Sequence, residues 1–281
     1  MTMTTRGSGR GTRSRHRAVS GPPVGPAIAP AIISRVPVFQ PTFRGGKSET
    51  WTWETGWGTV TVEGRLTETH RKVLDAIFAS AIKSRRLDTG ALALVVDRYR
   101  IVKLAGVTNK KDWLWSVLGD MRVAKVEIYD SATHMTHQGG IVSEFGKSEK
   151  CTADGRELWV ITISATWMKI YDTSLVVRYR NLLPILSRIW SGHVHAMALH
   201  VLTHKEGYFE LAEVLKRIGA WPDENLKPES FKRQVRRLFE AIDSEEKLLG
   251  ELGMTLYVEQ GKRMLHYVPP VGVGVQQGSP E

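Results

Sequence analysis

The chain presents one order of elements twice, and that order constrains its fold more than any other feature. Each half reads as a helix, a short helix ended by a glycine, a third helix and closing strands. The two short helices even close alike, in Leu104-Ala105-Gly106-Val107 and in Arg217-Ile218-Gly219-Ala220. Glycine just past the last periodic residue is a favoured helix stop, because it takes a left-handed backbone at no steric cost. The halves otherwise share little sequence, so the repeat is one of topology. It predicts an α+β protein made of two three-helix units, each with a β-wing.

Hydrophobic periodicity places the elements. Residues 51–63 read as a strand pair around Gly56 and Gly58. A helix starts from an N-cap at Thr67, with Val73, Leu74, Ile77, Phe78, Ala81 and Ile82 at helical spacing, and breaks at 88–90. Residues 91–96 form a strand, 100–104 the short helix and 110–118 the third helix. Strands at 124–129, 140–145 and 158–164 close the first half. In the second half a helix over 190–203 precedes the short helix 210–218, and a loop with Trp221, Pro222 and Pro228 leads into the helix 229–242. Strands 254–259 and 262–268 then pair across Gln260-Gly261. The expected domains are residues 49–185 and 186–270, flanked by tails 1–48 and 271–281. Trp113, Trp115, Trp159, Trp167 and Trp190 are expected to fill cores or the contact between halves. Trp51, Trp53 and Trp57 are expected to pack a strand pair rather than stack on single strands.

Net charge is +10, but its distribution matters more. Residues 1–48 contain Arg6, Arg10, Arg13, Arg15, Arg17, Arg35, Arg44 and Lys47 and no acidic side chain, which leaves 31 basic residues against all 29 acidic ones in the remainder. A case for nucleic-acid binding by the folded part must therefore come from clustering rather than bulk charge. Pro22, Pro23, Pro26, Pro30, Pro37 and Pro41 block a sustained helix in the first 48 residues. This predicts a disordered basic arm rather than an amphipathic transit peptide. Such an arm would add non-specific attraction to DNA phosphates and little core, so deleting residues 1–46 is expected to leave thermal stability almost unchanged. The single cysteine, Cys151, excludes a disulfide framework and a thiolate zinc cluster, and fits a reducing, cytoplasmic location. No apolar run approaches the roughly 18 residues of a membrane span. Neither a membrane partner nor a cofactor is expected.

The helix 229–242 carries the functional reading. On a wheel at about 100° per residue, Phe231, Val235, Leu238, Phe239 and Ile242 fall in one sector, which predicts a core-facing stripe. Arg233, Arg236 and Arg237 lie opposite, with Ser230 near the edge of that face, and Lys232 and Gln234 flank the stripe. Pro228 suits the first helical position, where its missing N–H has no partner to lose. A helix of this kind fits a major groove, where arginine can bond guanine bidentately and other cations can meet phosphate. Arg233 and Arg237 are the expected base readers. Lys232, Arg236 and, at the hairpin tip, Lys262 and Arg263 are assigned to phosphates, with Ser230 and Gln234 secondary. In the first half Lys110 and Lys111 open the third helix, but Asp112 and Asp120 share it, so only weaker phosphate contact is expected there.

Several stretches of the second half resemble the C-terminal winged helix of iteron-binding plasmid replication initiators. They are Ser191 with Ala198-Leu199-His200, residues 211–219, Phe231-Lys232-Arg233-Gln234-Val235-Arg236-Arg237, Leu252-Gly253-Met254 and the hairpin. Tyr99-Arg100-Ile101-Val102-Lys103-Leu104-Ala105-Gly106 is similar to that family's N-terminal winged helix. The resemblance spans residues 50–270 and implies two tandem winged-helix domains in a bacterial, cytoplasmic, non-enzymatic protein. It further implies binding of repeated double-stranded DNA sites (iterons) at a plasmid origin, origin opening, and recruitment of the host replicative helicase alongside host initiator proteins. A monomer–homodimer equilibrium through the first domain is part of the same implication.

Rival constellations are weaker. A winged-helix transcriptional repressor would share the fold but needs only a promoter palindrome. His193-Val194-His195 matches the His-hydrophobic-His pattern of rolling-circle nickases, yet it falls in a helical run, and no tyrosine has Lys three residues later. Gly46-Lys47-Ser48 resembles the end of a phosphate-binding loop, but Pro41 stands where the first glycine belongs. His193, His200 and His204 share a helical face, but the first two are about 10 Å apart along the axis, too far for one zinc. His134 and His137 are expected in a solvated loop.

Overall fold

Short helices and antiparallel strands alternate along a mixed α+β chain; the computed structural model describes residues 28–35, 38–41, 50–64, 66–107, 111–173, 176–271 and 274–276. The order begins β1 (Ile28–Pro30), α1 (Ile32–Arg35), β2 (Thr50–Thr55), β3 (Gly58–Glu63), α2 (Glu68–Ser80), β4 (Ala81–Arg86) and β5 (Leu92–Asp97). It continues α3 (Arg98–Leu104), α4 (Lys111–Val123), β6 (Lys125–Asp130), β7 (Met135–Gly139), β8 (Val142–Cys151), β9 (Glu157–Ile163), α5 (Ala165–Thr173) and β10 (Val176–Arg178). The second half holds α6 (Leu183–Leu186), α7 (Gly192–Val201), β11 (Gly207–Glu210), α8 (Leu211–Arg217) and α9 (Pro228–Ser244). It closes with α10 (Glu246–Glu251), β12 (Met254–Glu259), β13 (Lys262–Tyr267) and β14 (Gly274–Gln276).

The two halves share an order of elements, with β6–β7 added in the first and α10 in the second. Helix, strand, short helix, third helix and hairpin recur as α2, β5, α3, α4, β8–β9 and as α7, β11, α8, α9, β12–β13. Their sheets share an order, β5-β9-β8 and β11-β13-β12. The helix stops match at atomic detail. Gly106 and Gly219 have φ of 68° and 69°, and the next residue donates to the carbonyl five back: Val107 to Val102 at 3.2 Å, Ala220 to Leu215 at 2.8 Å. A side chain at Gly106 would also strike the Ser187 carbonyl oxygen, 2.3 Å from an ideal Cβ.

The first half carries additions that periodicity did not show. Helix α2 stops at Ser80, two residues short of the apolar spacing, because residues 81–86 form β4 at the edge of the β4-β5-β9-β8 sheet. Ile82 is consequently half exposed rather than buried, and Lys83 and Arg85 lie exposed along an edge strand, which charge protects from pairing with other chains. A second sheet, β2-β3-β6-β7, takes in His137 on β7, where a solvated loop was expected, and packs against α5. Trp159 and Trp167 fill the core as expected, whereas Trp190 is 90 % exposed in the connection before α7 and fills nothing.

The expected disordered tail of residues 1–48 is contradicted for its second part. Ala31, Ile33, Val38 and Phe39 are among the most buried residues, and Phe39 meets Trp167 edge-on at 6.2 Å. The physical reason is that these apolar residues between prolines have a groove to fill at the junction of the halves. Prolines forbid a long helix there but not a packed strap with a single helical turn, α1. Residues 1–27 and 42–49 lie outside the described residues. At the other end, 274–276 of the expected flexible C-terminal flank forms β14. It pairs with β10, which also pairs with β1, so the first and last described strands both meet the connection between halves.

A buried polar cluster crosses that junction. The Arg71 guanidinium of α2, 1 % exposed, donates to both Asp75 oxygens, to the Ile33 carbonyl, to Ser34 Oγ and to Tyr179 OH, all at 3.0–3.1 Å. Glu68 of α2 meets His195 of α7 at 2.6 Å. From the strap, Arg35 donates to the Thr203 carbonyl at 2.8 Å and the Ser34 carbonyl lies 3.2 Å from His200 Nδ1. One continuous apolar core runs through both halves beneath this cluster.

Candidate nucleic-acid interface

Helix α9 overhangs the body of the second half. Pro228 opens it, and none of residues 228–237, about 15 Å of helix at the usual rise, is buried. Only Leu238 and Ile242 anchor it in the core. The expected stripe is therefore half correct: Phe231, Val235 and Phe239 are part-exposed. Trp221, in the preceding loop, props the overhang edge-on at 6.1 Å from Phe231 and 6.2 Å from Phe239.

Lys232, Arg233, Gln234, Arg236 and Arg237 are all exposed on this projecting helix, and Ser230 is half-buried. Lys232 lies 3.7 Å from Glu229 and Arg236 3.5 Å from Glu240, solvent-exposed pairs of the kind worth little. Arg233 and Arg237 form no ion pair among the described residues. Two forked, fully charged donors thus stand in water with no internal partner, next to two more cations that surrender their carboxylates easily.

The hairpin beside α9 turns tightly at Gln260 and Gly261, with φ of 50° and 77°, as a two-residue turn requires. Its two cations do not behave alike. Lys262 is exposed at the tip and reaches Glu210 at 2.8 Å. Arg263 turns inward, its guanidinium 4.8 Å from the centre of the Phe239 ring and 2.8 Å from Asp243. Strand alternation puts residue 263 on the same face as buried Leu265 and Tyr267, a placement that the sequence-based phosphate assignment of Arg263 did not anticipate. Between helix and hairpin lies an open groove of about 450 Å³ with Phe231, Val235 and Phe239 on its floor and Lys232 and Arg236 on its rim.

No family model, curated protein or solved structure matches the chain. The interface has to be read from its own geometry, and the corresponding helix of the first half supplies the internal contrast. Helix α4 exposes Asp112, Trp115, Ser116, Asp120 and Arg122, a mixed and partly acidic face. Asp120 accepts from His70 Nε2 at 3.3 Å. Lys110 lies outside the described residues, and Lys111 opens α4 with its side chain undescribed.

The histidines are engaged in structure. His193 and His195 ride on α7, not on a strand, and His195 is buried against Glu68. The His200 and His204 rings are tilted at 45° with centres 4.8 Å apart, and each turns Nδ1 toward a backbone carbonyl, of Ser34 and of His200. Burial and the neighbouring His204 lower His200 to about 4. Among the described residues no group of three or more side chains could hold a metal, and no helix is long and apolar enough to cross a membrane. Gly46-Lys47-Ser48 lies outside the described residues. The residues that sequence reasoning missed are Trp221, Asp243 and the Arg71 cluster. The i, i+4 pair Arg71 and Asp75 beside apolar Leu74 was the available signal for the last.

Proposed function

We propose that the chain is a sequence-specific, non-enzymatic DNA-binding protein of two tandem winged-helix units that reads duplex DNA with α9. The observation that carries this reading is the overhanging α9, whose Arg233 and Arg237 project without an ion-pair partner among the described residues, in a helix–strand–helix–helix–hairpin unit. Major-groove width suits one helix, and forked arginines match the guanine edge. Following the resemblance, the sites are direct repeats at a bacterial plasmid origin, and the protein initiates replication by opening that origin and recruiting the host helicase. The acidic tint of α4 fits a first unit that adds phosphate contact near Lys110 and Lys111, or a homodimer surface, rather than base readout.

Binding titrations with duplex DNA flanking its own gene test the proposal. Contact with six or more phosphates gives a slope of log affinity against log salt near about −5 or steeper. Arg233→Ala and Arg237→Ala each fold normally and weaken the specific complex by roughly 1–3 kcal/mol, relaxing one base position. Arg236→Ala weakens all sequences alike. A slope near zero, or both arginine variants binding like the parent, overturns the reading.

A further inference from the structure

Arg263 lies one residue from the tip of a basic hairpin, yet its contacts all point back into the protein. Along β13, Lys262, Met264 and His266 face outward, while Arg263 shares the inner face with Leu265 and Tyr267, both fully buried. Its guanidinium carbon sits 4.8 Å from the Phe239 ring centre, one terminal nitrogen bonds Asp243 at 2.8 Å, and Nη1 is closed to solvent with no hydrogen-bond partner among the described residues. Phe239 and Asp243 both belong to α9, one turn apart. Val258, which faces Arg263 across the hairpin, is 66 % exposed and contributes no comparable hold. Among the described residues this stacked and ion-paired side chain holds the outer end of the hairpin to α9 and forms the far wall of the groove, while Lys262 ties the tip to Glu210 of β11.

We propose that Arg263 is a positioning residue that fixes the angle between the hairpin and α9, so that a duplex read by α9 meets the hairpin at one set spacing. The inference rests on the DNA-reading role of α9. A guanidinium stacked on a ring, committed to a carboxylate and partly sealed from water has few donors to offer a phosphate. The last two rungs of the hairpin, Val258–Arg263 and Glu259–Lys262, reach past β11 in the three-stranded sheet; without such a tie this end is marginally ordered, and each complex would have to order it anew.

The two roles predict opposite signs. As a phosphate ligand, Arg263 could be replaced by Lys with little loss, Arg263→Ala would flatten the salt slope by about 0.9, and Asp243→Ala would tighten binding by freeing the cation and removing an anion near DNA. As a positioning residue, Arg263→Ala and Arg263→Lys both weaken the specific complex roughly tenfold, because an ammonium cannot keep stack and fork together. Asp243→Ala then weakens it too, and salt slope and affinity for random duplex stay at parental values.

The experiment titrates the full-length parent and these three variants, each checked by denaturation, over a salt series. The probes are a duplex selected by the parent from a random pool and an unselected duplex from the same pool. Hydroxyl-radical footprints should keep the α9 segment and lose the hairpin segment in the variants. Tighter binding by Asp243→Ala, or retained affinity in Arg263→Lys, overturns the positioning role while leaving DNA reading intact. A parent that selects no duplex overturns both.

Discussion

Glu68 and His195 meet at 2.6 Å with side chains 8 % and 2 % exposed, so together they hold one proton rather than two separated charges. Burial pushes the Glu68 carboxyl from 4.5 up to about 8, against the pull of Arg71 and Lys72, and burial, then Lys72, holds His195 well below its usual range. In the unfolded chain Glu68 ionises near 4.5, so the folded state holds the extra proton from there up to about 8 and loses stability as pH rises through that window. His195, kept neutral when folded, costs stability in the other direction, as pH falls below 6.5. The two slopes oppose each other below 6.5, and only the Glu68 slope remains above it. Urea unfolding should therefore show the parent losing on the order of 1–2 kcal/mol between pH 6.5 and 8. Glu68→Gln, which keeps a hydrogen-bonding group but has no proton to lose, should abolish that loss. A parallel decline in both proteins would mean that another group carries it. Nothing in the local sequence announced this pair, since its partners are 127 residues apart. The inward turn of Arg263, by contrast, was legible: it has the same strand parity as Leu265 and Tyr267.

At the scale of elements, the wheel of α9 gave direction correctly but not depth. Periodicity says which side of a helix faces the body; it does not say how far the body extends beneath it. Leu238 and Ile242 are buried as the stripe required, while Val235, in the same sector, lies over the open groove. Leu238→Ala should therefore cost about 2–5 kcal/mol through cavity formation, while Val235→Ala should cost less than about 1.5 kcal/mol, because little packing surrounds the deleted methyls. Paired denaturation curves measure both, and equal costs would show that the overhang packs against the body after all. The same limit explains β4. Ala81 and Ile82 extend the helical spacing of α2 by chance, and only pairing with β5, whose partner residues lie beyond the turn, decides that the backbone leaves the helix at Ser80. Local signals with a steric cause, such as the stops at Gly106 and Gly219, were legible in full.

For the whole molecule the strap decides how the halves behave together. Residues 28–41 contribute Ile33, Val38 and Phe39 to the shared core, give Arg71 of the first half two of its acceptors, and bond Thr203 and His200 of the second. Composition concealed this, because proline and arginine content describes an average, whereas packing depends on a few apolar side chains and the groove they meet. Fully burying each of those three side chains is worth about 1.5–3 kcal/mol, a sum comparable to the 5–15 kcal/mol that holds a typical domain together. Removal also strips acceptors from a buried guanidinium, which leaves its charge less compensated than before. A chain beginning at residue 42 should therefore melt well below one beginning at Ile28, which keeps the strap and serves as the control. It should also lose cooperativity. With the strap, one core spans both halves and a single transition is expected; without it, the contacts left across the junction centre on α2 and α7, and the halves should unfold in two steps. Differential scanning calorimetry of the two chains reads both effects. If the shorter chain melts in one transition at the temperature of the control, residues 28–41 are a passive tail and the junction is held by α2 and α7 alone.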